Sequence, residues 1–157
     1  FIEHHHCLQL ERVIQQFSLM HGFGLAYNSL GAFASINHQH WQMFLSHNDY
    51  PVESLVWNHN GGQVAYPLKV ECFPSMTTAW GRIDDCQNRN IAFNLLIRPQ
   101  KVLLIARKRQ GEYQHNDWTS GFAWSEIMGN ITTSCRDKYE QLSNMLIAQE
   151  FDLLRLD

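Results

Sequence analysis

The run His38-Gln39-His40-Trp41-Gln42 sets two imidazoles and an amide at alternate positions. In an extended strand alternate side chains share a face, and at roughly 3.3 Å per residue consecutive members of such a row stand about 6.6 Å apart. Two of them can then touch one phosphate and its leaving oxygen. The spacing predicts a strand from Ala34 to Leu45, with Asn37, Gln39, Trp41 and Met43 on the opposite face. Neutral imidazole is a nitrogen nucleophile that can attack phosphorus, and as a class it titrates near ~6.5, so it is mostly unprotonated at neutral pH. The amide in third place donates to a phosphoryl oxygen. It neither supplies nor accepts a proton as a third histidine would, which favours group transfer over hydrolysis. Just upstream, backbone N–H groups of the Asn28 to Ser35 loop, with Gly31 permitting close approach, can hold the charge that develops on the phosphate.

Positioning such a row requires a sheet and something to pack it. Leu8, Leu10, Val13, Ile14, Phe17 and Met20 recur at three- and four-residue steps and predict a helix over Leu8–Met20, stopped by His21-Gly22. Phe23–Tyr27 reads as a short strand and Asn28-Ser29-Leu30-Gly31 as a loop. Beyond a turn at Asn58–Gly62, a strand is expected over Val64–Phe73 and a helix over Thr77–Asn90, where Trp80, Ile83 and Cys86 are helically spaced. Ile91–Ile97 and Val102–Ala106 are β-rich runs joined by Arg98-Pro99-Gln100-Lys101, the pattern of a hairpin. Gly111–Gly121 is polar and loop-like, and helical spacing returns over Trp124–Leu154, with Tyr139, Leu142, Leu146 and Ile147 as the apolar stripe of the last helix. These elements predict one α+β domain over residues 1–157, without internal repeats.

The chain has 157 residues, 45% apolar and 17% charged, and so belongs with globular domains able to bury a core without disulfide or metal staples. Fifteen acidic against twelve basic residues give a net charge of −3, too little positive field to hold a nucleic-acid backbone. Cys7, Cys72, Cys86 and Cys135 stand far apart with no C-x-x-C pair, so no zinc ribbon or dithiol site is expected; read as reduced thiols, they imply a cytoplasmic protein. No apolar run approaches the ~18 residues of a membrane span, and no basic-then-apolar leader opens the chain. The first residue is Phe1 rather than methionine, which suggests a missing N-terminal part.

His38-Gln39-His40-Trp41-Gln42-Met43-Phe44 resembles the H-φ-H-φ-Q-φ-φ signature of the galactose-1-phosphate uridylyltransferase branch of the histidine triad superfamily, with Gln39 where an apolar residue or proline is usual. Tyr27-Asn28-Ser29-Leu30-Gly31-Ala32-Phe33-Ala34-Ser35-Ile36-Asn37-His38 and Tyr50-Pro51-Val52-Glu53 are similar to segments of the GDP-hexose phosphorylases. So are Phe93-Asn94-Leu95-Leu96-Ile97 and Trp124-Ser125-Glu126-Ile127-Met128-Gly129. The resemblance implies a mainly antiparallel sheet with flanking helices. It also implies that His40 takes the nucleotidyl group covalently, that His38 orients it and that Gln42 binds the phosphoryl oxygens. Asn28, Ser29, Gly31, Ser35, Asn37, Asn94 and Arg98 make up the candidate nucleotide- and phosphate-binding set. The implied partners are a nucleotide or nucleotide sugar and an acceptor, inorganic phosphate or a sugar phosphate. No metal or other cofactor is required, because the nucleophile needs no metal to activate it. In a histidine triad domain the motif strand comes late, whereas here only one helix and one strand precede it. Three accounts follow: a truncated chain, downstream elements filling the same sheet in a different order, or a second chain completing the site as a homodimer.

The remaining motifs are read more plainly. His4-His5-His6-Cys7 points in different directions on an incipient helix and makes a poor metal nest. His21, His47, His59 and His115 fall at turns and are expected in solvent. Arg98, Lys101, Arg107, Lys108 and Arg109 are read as a solvated hairpin rather than a phosphate clamp. Asp84 and Asp85 diverge by ~100° on a helix and form no carboxylate pair. Trp41 is expected in the core. The leading expectation is nucleotidyl transfer at an α-phosphorus. The alternatives are a triad-type nucleotide hydrolase, a non-catalytic nucleotide-binding module, and an interaction domain using the basic hairpin.

Overall fold

The computed structural model describes residues 1–35, 38–133 and 135–156. Helix α1 (His4–Gln16) leads into strand β1 (Phe23–Asn28), and after a loop comes β2 (Trp41–Leu45). Two short 3-10 turns, Pro51–Glu53 and Asn58–Asn60, precede β3 (Glu71–Phe73), α2 (Met76–Asn88), β4 (Ala92–Arg98) and β5 (Lys101–Arg107). The C-terminal third holds α3 (Trp124–Ile127), α4 (Arg136–Gln141) and α5 (Asn144–Leu154). The strands form one antiparallel sheet in the order β2-β1-β4-β5-β3, giving the α+β architecture with flanking helices that the sequence predicts. The downstream strands thus join the sheet that β1 and β2 begin.

Both faces of this sheet are covered. On one, Phe23, Leu25, Phe93, Leu95, Ile97 and Leu104 pack against α1 and α2. On the other, Ala26, Leu96, Leu103 and Ile105 pack under Val52, Tyr66, Phe122, Trp124 and Phe151. Strands buried on two faces read as continuous apolar runs, which is why β4 and β5 are legible without alternation. The hairpin between them closes with Arg98 paired to Lys101. Proline precedes Gln100, whose φ of 65° is the left-handed value required at the third position of a type II turn. Helix α2 starts at Ser75, whose hydroxyl accepts from the Thr78 N–H (3.2 Å), and ends where Asn90 adopts a left-handed φ of 56°.

Several expected boundaries move. The second strand spans Trp41–Leu45 rather than Ala34–Leu45, because its ladder with β1 runs only from Phe23↔Leu45 to Tyr27↔Trp41. The expected strand Val64–Phe73 shrinks to Glu71–Phe73: Pro67 interrupts it, and Val64 makes only an isolated bridge to Trp57. Helix α1 stops at Gln16 instead of Met20, and Leu8 and Met20 are exposed rather than on its packed face. The long helical stretch expected over Trp124–Leu154 is three helices. Ser143 caps the last, so Tyr139 and Leu142 lie outside it, and its buried face is Glu150, Phe151 and Leu154. Tyr139 is 66% exposed, whereas Ile147 does pack against the second core, so the expected stripe is packed only in part.

Candidate active site

Cross-strand neighbours share a face, so the pairs Ala26↔Gln42 and Asn28↔Asn94 put Gln42, Asn28 and Asn94 on the sheet face that carries Trp124. The last ladder pair between β1 and β2 is Tyr27↔Trp41. One further step of that register would set position 40 opposite Asn28. His38 and His40 therefore precede the strand rather than lie on it, a correction to the expected three-residue strand row. Their rings nevertheless remain neighbours, with centroids 6.5 Å apart and planes at 90°, and both side chains are exposed. Asn37, expected on the opposite face and in the binding set, lies outside the described residues.

Hydrogen bonds tie this end of the sheet together. Asn28 Oδ1 accepts from the backbone N–H of Trp124 (2.8 Å) and from Asn94 Nδ2 (2.7 Å). The Trp124 indole N–H donates to Gln42 Oε1. Phe44 stacks on the indole (centroids 5.1 Å apart, planes at 17°) and Tyr50 meets it edge-on at 5.3 Å. The Ser29 hydroxyl accepts from the Phe93 N–H (2.7 Å), and the Ser29 carbonyl from the Ala32 N–H (2.9 Å), closing a turn in which Gly31 takes φ of 87°. Beside this turn a cavity of about 220 Å³ is lined by Tyr27, Asn28, Ser29, His38, Gln39 and Arg109, among others. Gln39 Nε2 is buried there with no partner among the described residues.

The segments that carry the family resemblance thus converge on one face. Asn28 touches Asn94 of β4 and Trp124 of α3. The Met128 carbonyl accepts from the Val52 N–H (3.1 Å), and a side chain at Gly129 would strike Pro51 (2.6 Å). His38, Asn28 and Ser29 line one cavity, and Gln42 is joined to Asn28 through Trp124, with His40 in register reach. Ser35 is exposed in the loop leading toward them.

Three other expected residues do different work. Asn94 is fully buried, and its NH2 is committed to Asn28 and the Ala32 carbonyl, so it holds Asn28 in place from beneath. Gly31 does permit a close approach, but by the Arg109 guanidinium, which stands 2.9 Å from where a Cβ would be. Arg98 lies at the other end of β4, in a two-pronged pair with Glu53 (2.9 and 3.1 Å) and donating to the Gly22 carbonyl (2.7 Å). Its charge serves the fold and not a phosphate beside His40.

The basic hairpin is not the solvated end that the sequence suggests. Arg107 is fully buried, donating to the Phe122 carbonyl and the Tyr113 hydroxyl (2.6 Å), and Lys101 donates to Asn60 (2.7 Å). Arg109 donates to Asn90 (2.7 Å) and lines the cavity; its place among five basic residues was the only sequence signal for it. His59 is also half-buried rather than solvated: its Nε2 lies 2.9 Å from the Val52 carbonyl, and burial lowers its pKa. Trp41 is half-buried against Tyr27 (4.6 Å) at the rim of the first core. His4 meets Trp80 and Cys7 is in the core, but the rings of His5 and His6 lie 3.9 Å apart beside Glu3, so that quartet diverges only in part. The four thiols are free. Among the described residues, no helix is long and apolar enough to cross a membrane.

Over 91 residues the chain is 36% identical to GDP-L-galactose phosphorylase 1 of Arabidopsis thaliana and 35% identical to GDP-L-galactose phosphorylase 2 of the same plant. Each match covers 48% of this chain and 21% of the relative, so the chain spans about a fifth of the length of the curated relatives it matches. No protein-family model matches it. No solved structure matches it either.

Proposed function

We propose that this chain carries the nucleotidyl-transfer centre of a histidine triad phosphorylase acting on a nucleoside diphosphate sugar. An imidazole nitrogen of His40 attacks the α-phosphorus; a P–N bond forms, the P–O bond to the β-phosphate breaks, and the sugar 1-phosphate leaves. Inorganic phosphate or a sugar phosphate then attacks the same phosphorus, the P–N bond breaks, and the nucleotide departs on the acceptor. His38 orients His40, and the Gln42 amide donates to the phosphoryl oxygens in the charged transition states. Asn28, Ser29 and Arg109 border the space the nucleotide enters, and Ser35 and Asn37 are further candidates for holding it, all within a single domain. The observation that supports the reading is that His38, whose ring neighbours that of His40, lines one cavity with Asn28 and Ser29, while Gln42 is linked to Asn28 through Trp124. The likeness to GDP-L-galactose phosphorylases makes a GDP-hexose the first substrate to try.

The test is a screen of nucleoside diphosphate sugars, labelled at the α-phosphate, on the full-length protein with and without inorganic phosphate. Wild type should hold label on His40 and release sugar 1-phosphate; His40→Asn should lose at least about a hundredfold in rate, the lower range for removing a nucleophile. Unchanged turnover in that variant would discard the mechanism. Release of nucleoside monophosphate to water would make it a hydrolase. A second reading, a nucleotide-binding module without turnover, draws on the cavity being lined by His38 and Gln39 but not by His40. It predicts nucleotide binding with no label on any histidine.

A further inference from the structure

We infer that Trp124 is a positioning residue for the proposed transfer, setting the orientation of two amides at once. The inference rests on the reading of His40 and Gln42 given above and concerns a residue that touches neither nucleophile nor phosphate.

An amide can present either its oxygen or its NH2 in a given direction, and which it presents is settled by its partners. A backbone N–H and an indole N–H are donors only. The Trp124 backbone N–H therefore requires the oxygen of Asn28, and its indole N–H requires the oxygen of Gln42. Asn94 donates its NH2 to the same Asn28 oxygen, which fixes that amide a second time. With both oxygens held, the NH2 groups of Asn28 and Gln42 face away from Trp124. Neither has a protein partner among the described residues, and both residues are half-buried rather than sealed in the core. Asn28 borders the cavity that His38 also lines, and Gln42 sits two residues beyond His40. Two donors are thus preset for the oxygens of an anion at the end of the sheet, which removes the cost of turning them as charge develops.

The indole itself is held rigidly. It is stacked by Phe44 and met edge-on by Tyr50, while the Arg98 guanidinium lies 5.1 Å from the Phe44 ring centroid and 5.8 Å from that of Tyr50. Glu53 binds Arg98 and also accepts from the Tyr50 N–H (2.9 Å), so the aromatic group is anchored on a charged pair.

Trp124→Phe keeps a stacking ring and the backbone N–H but removes the indole donor. Two readouts are compared: steady-state kinetics on a nucleoside diphosphate sugar, and side-chain amide NMR of full-length protein titrated with GDP. The expected result is a kcat lower by about tenfold, the size of one lost hydrogen bond to a transition-state donor, with KM changed less than about threefold. The GDP-induced shift at the Gln42 NH2 should be lost while that at Asn28, still held by the backbone N–H, persists. In a Gln42→Ala background the same substitution should cost nothing further. Benzothienylalanine at position 124, which preserves the bicyclic shape without the N–H, covers the case in which the phenylalanine variant fails to fold. Wild-type kcat in either variant, or an undiminished Gln42 shift, overturns the inference and leaves the proposed function standing. A wild-type protein that turns over no nucleotide sugar, yet shows a Gln42 shift dependent on Trp124, overturns the function and leaves the positioning role.

Discussion

At the scale of single residues, the structure reassigns charge. Arg98 stands in a basic run and was an expected phosphate ligand, but its guanidinium is 12% exposed and paired with a Glu53 carboxylate that is 9% exposed. Removing one partner of such a pair strands the other charge away from water. Arg98→Met should therefore destabilise the protein by about 3–5 kcal/mol in urea unfolding, and Arg98→Met combined with Glu53→Gln should recover part of the loss. A single variant within about 1 kcal/mol of wild type, at the level of a surface pair, would return Arg98 to the candidate ligands. His38, His40 and Gln42 could be proposed from sequence because alternate spacing of polar residue types is visible in one dimension. Trp124 was not, since what makes it matter is two donors reaching residues 96 and 82 positions away.

At the scale of elements, the docking of α1 on α2 has a titratable component. The Glu11 carboxylate of α1 accepts from the backbone N–H (2.8 Å) and the hydroxyl of Thr77 in the first turn of α2. Burial alone would push this carboxyl up, but the donors at Thr77 outweigh it and hold the pKa below its ordinary 4.5. Between the folded and unfolded pKa values the unfolded chain binds more protons, so stability there rises with pH. The contribution is complete above the ordinary carboxyl range and is lost as pH falls through the lowered folded value. Urea midpoints of wild type and Glu11→Gln should accordingly differ by a constant amount from pH 7 to about 5.5 and converge as pH falls through the lowered folded value. A gap that persists at low pH would mean the carboxylate charge is not what joins the helices. The elements themselves were read well wherever apolar runs are uninterrupted, as in β4, β5 and α2. They were overextended where polar or proline-containing stretches had no partner in the sheet, as before Trp41 and after Val64.

At the scale of the whole molecule, one sheet serves two cores. Leu95 and Leu96 are adjacent in β4 and fully buried on opposite faces, the first under α1 and α2, the second under the C-terminal segments and the turn at Pro51–Glu53. Because both layers lean on the same strands, we expect them to unfold together as one domain. Leu95→Ala and Leu96→Ala should each cost about 2–5 kcal/mol and move a single urea transition seen alike by tryptophan fluorescence and by amide exchange in β4 and β5. Two separated transitions in either variant would divide the chain into two folding units.

The sequence by itself determined the class of fold, the core strands and the residue types able to do phosphorus chemistry, because periodicity, burial and turn propensity are local properties of the chain. Only the tertiary structure decided which basic residues are committed to partners within the fold, where the motif strand begins, and which way the amides point. Those outcomes depend on partners supplied from tens of residues away, and a hydrogen bond acquires its direction only when both ends are in place.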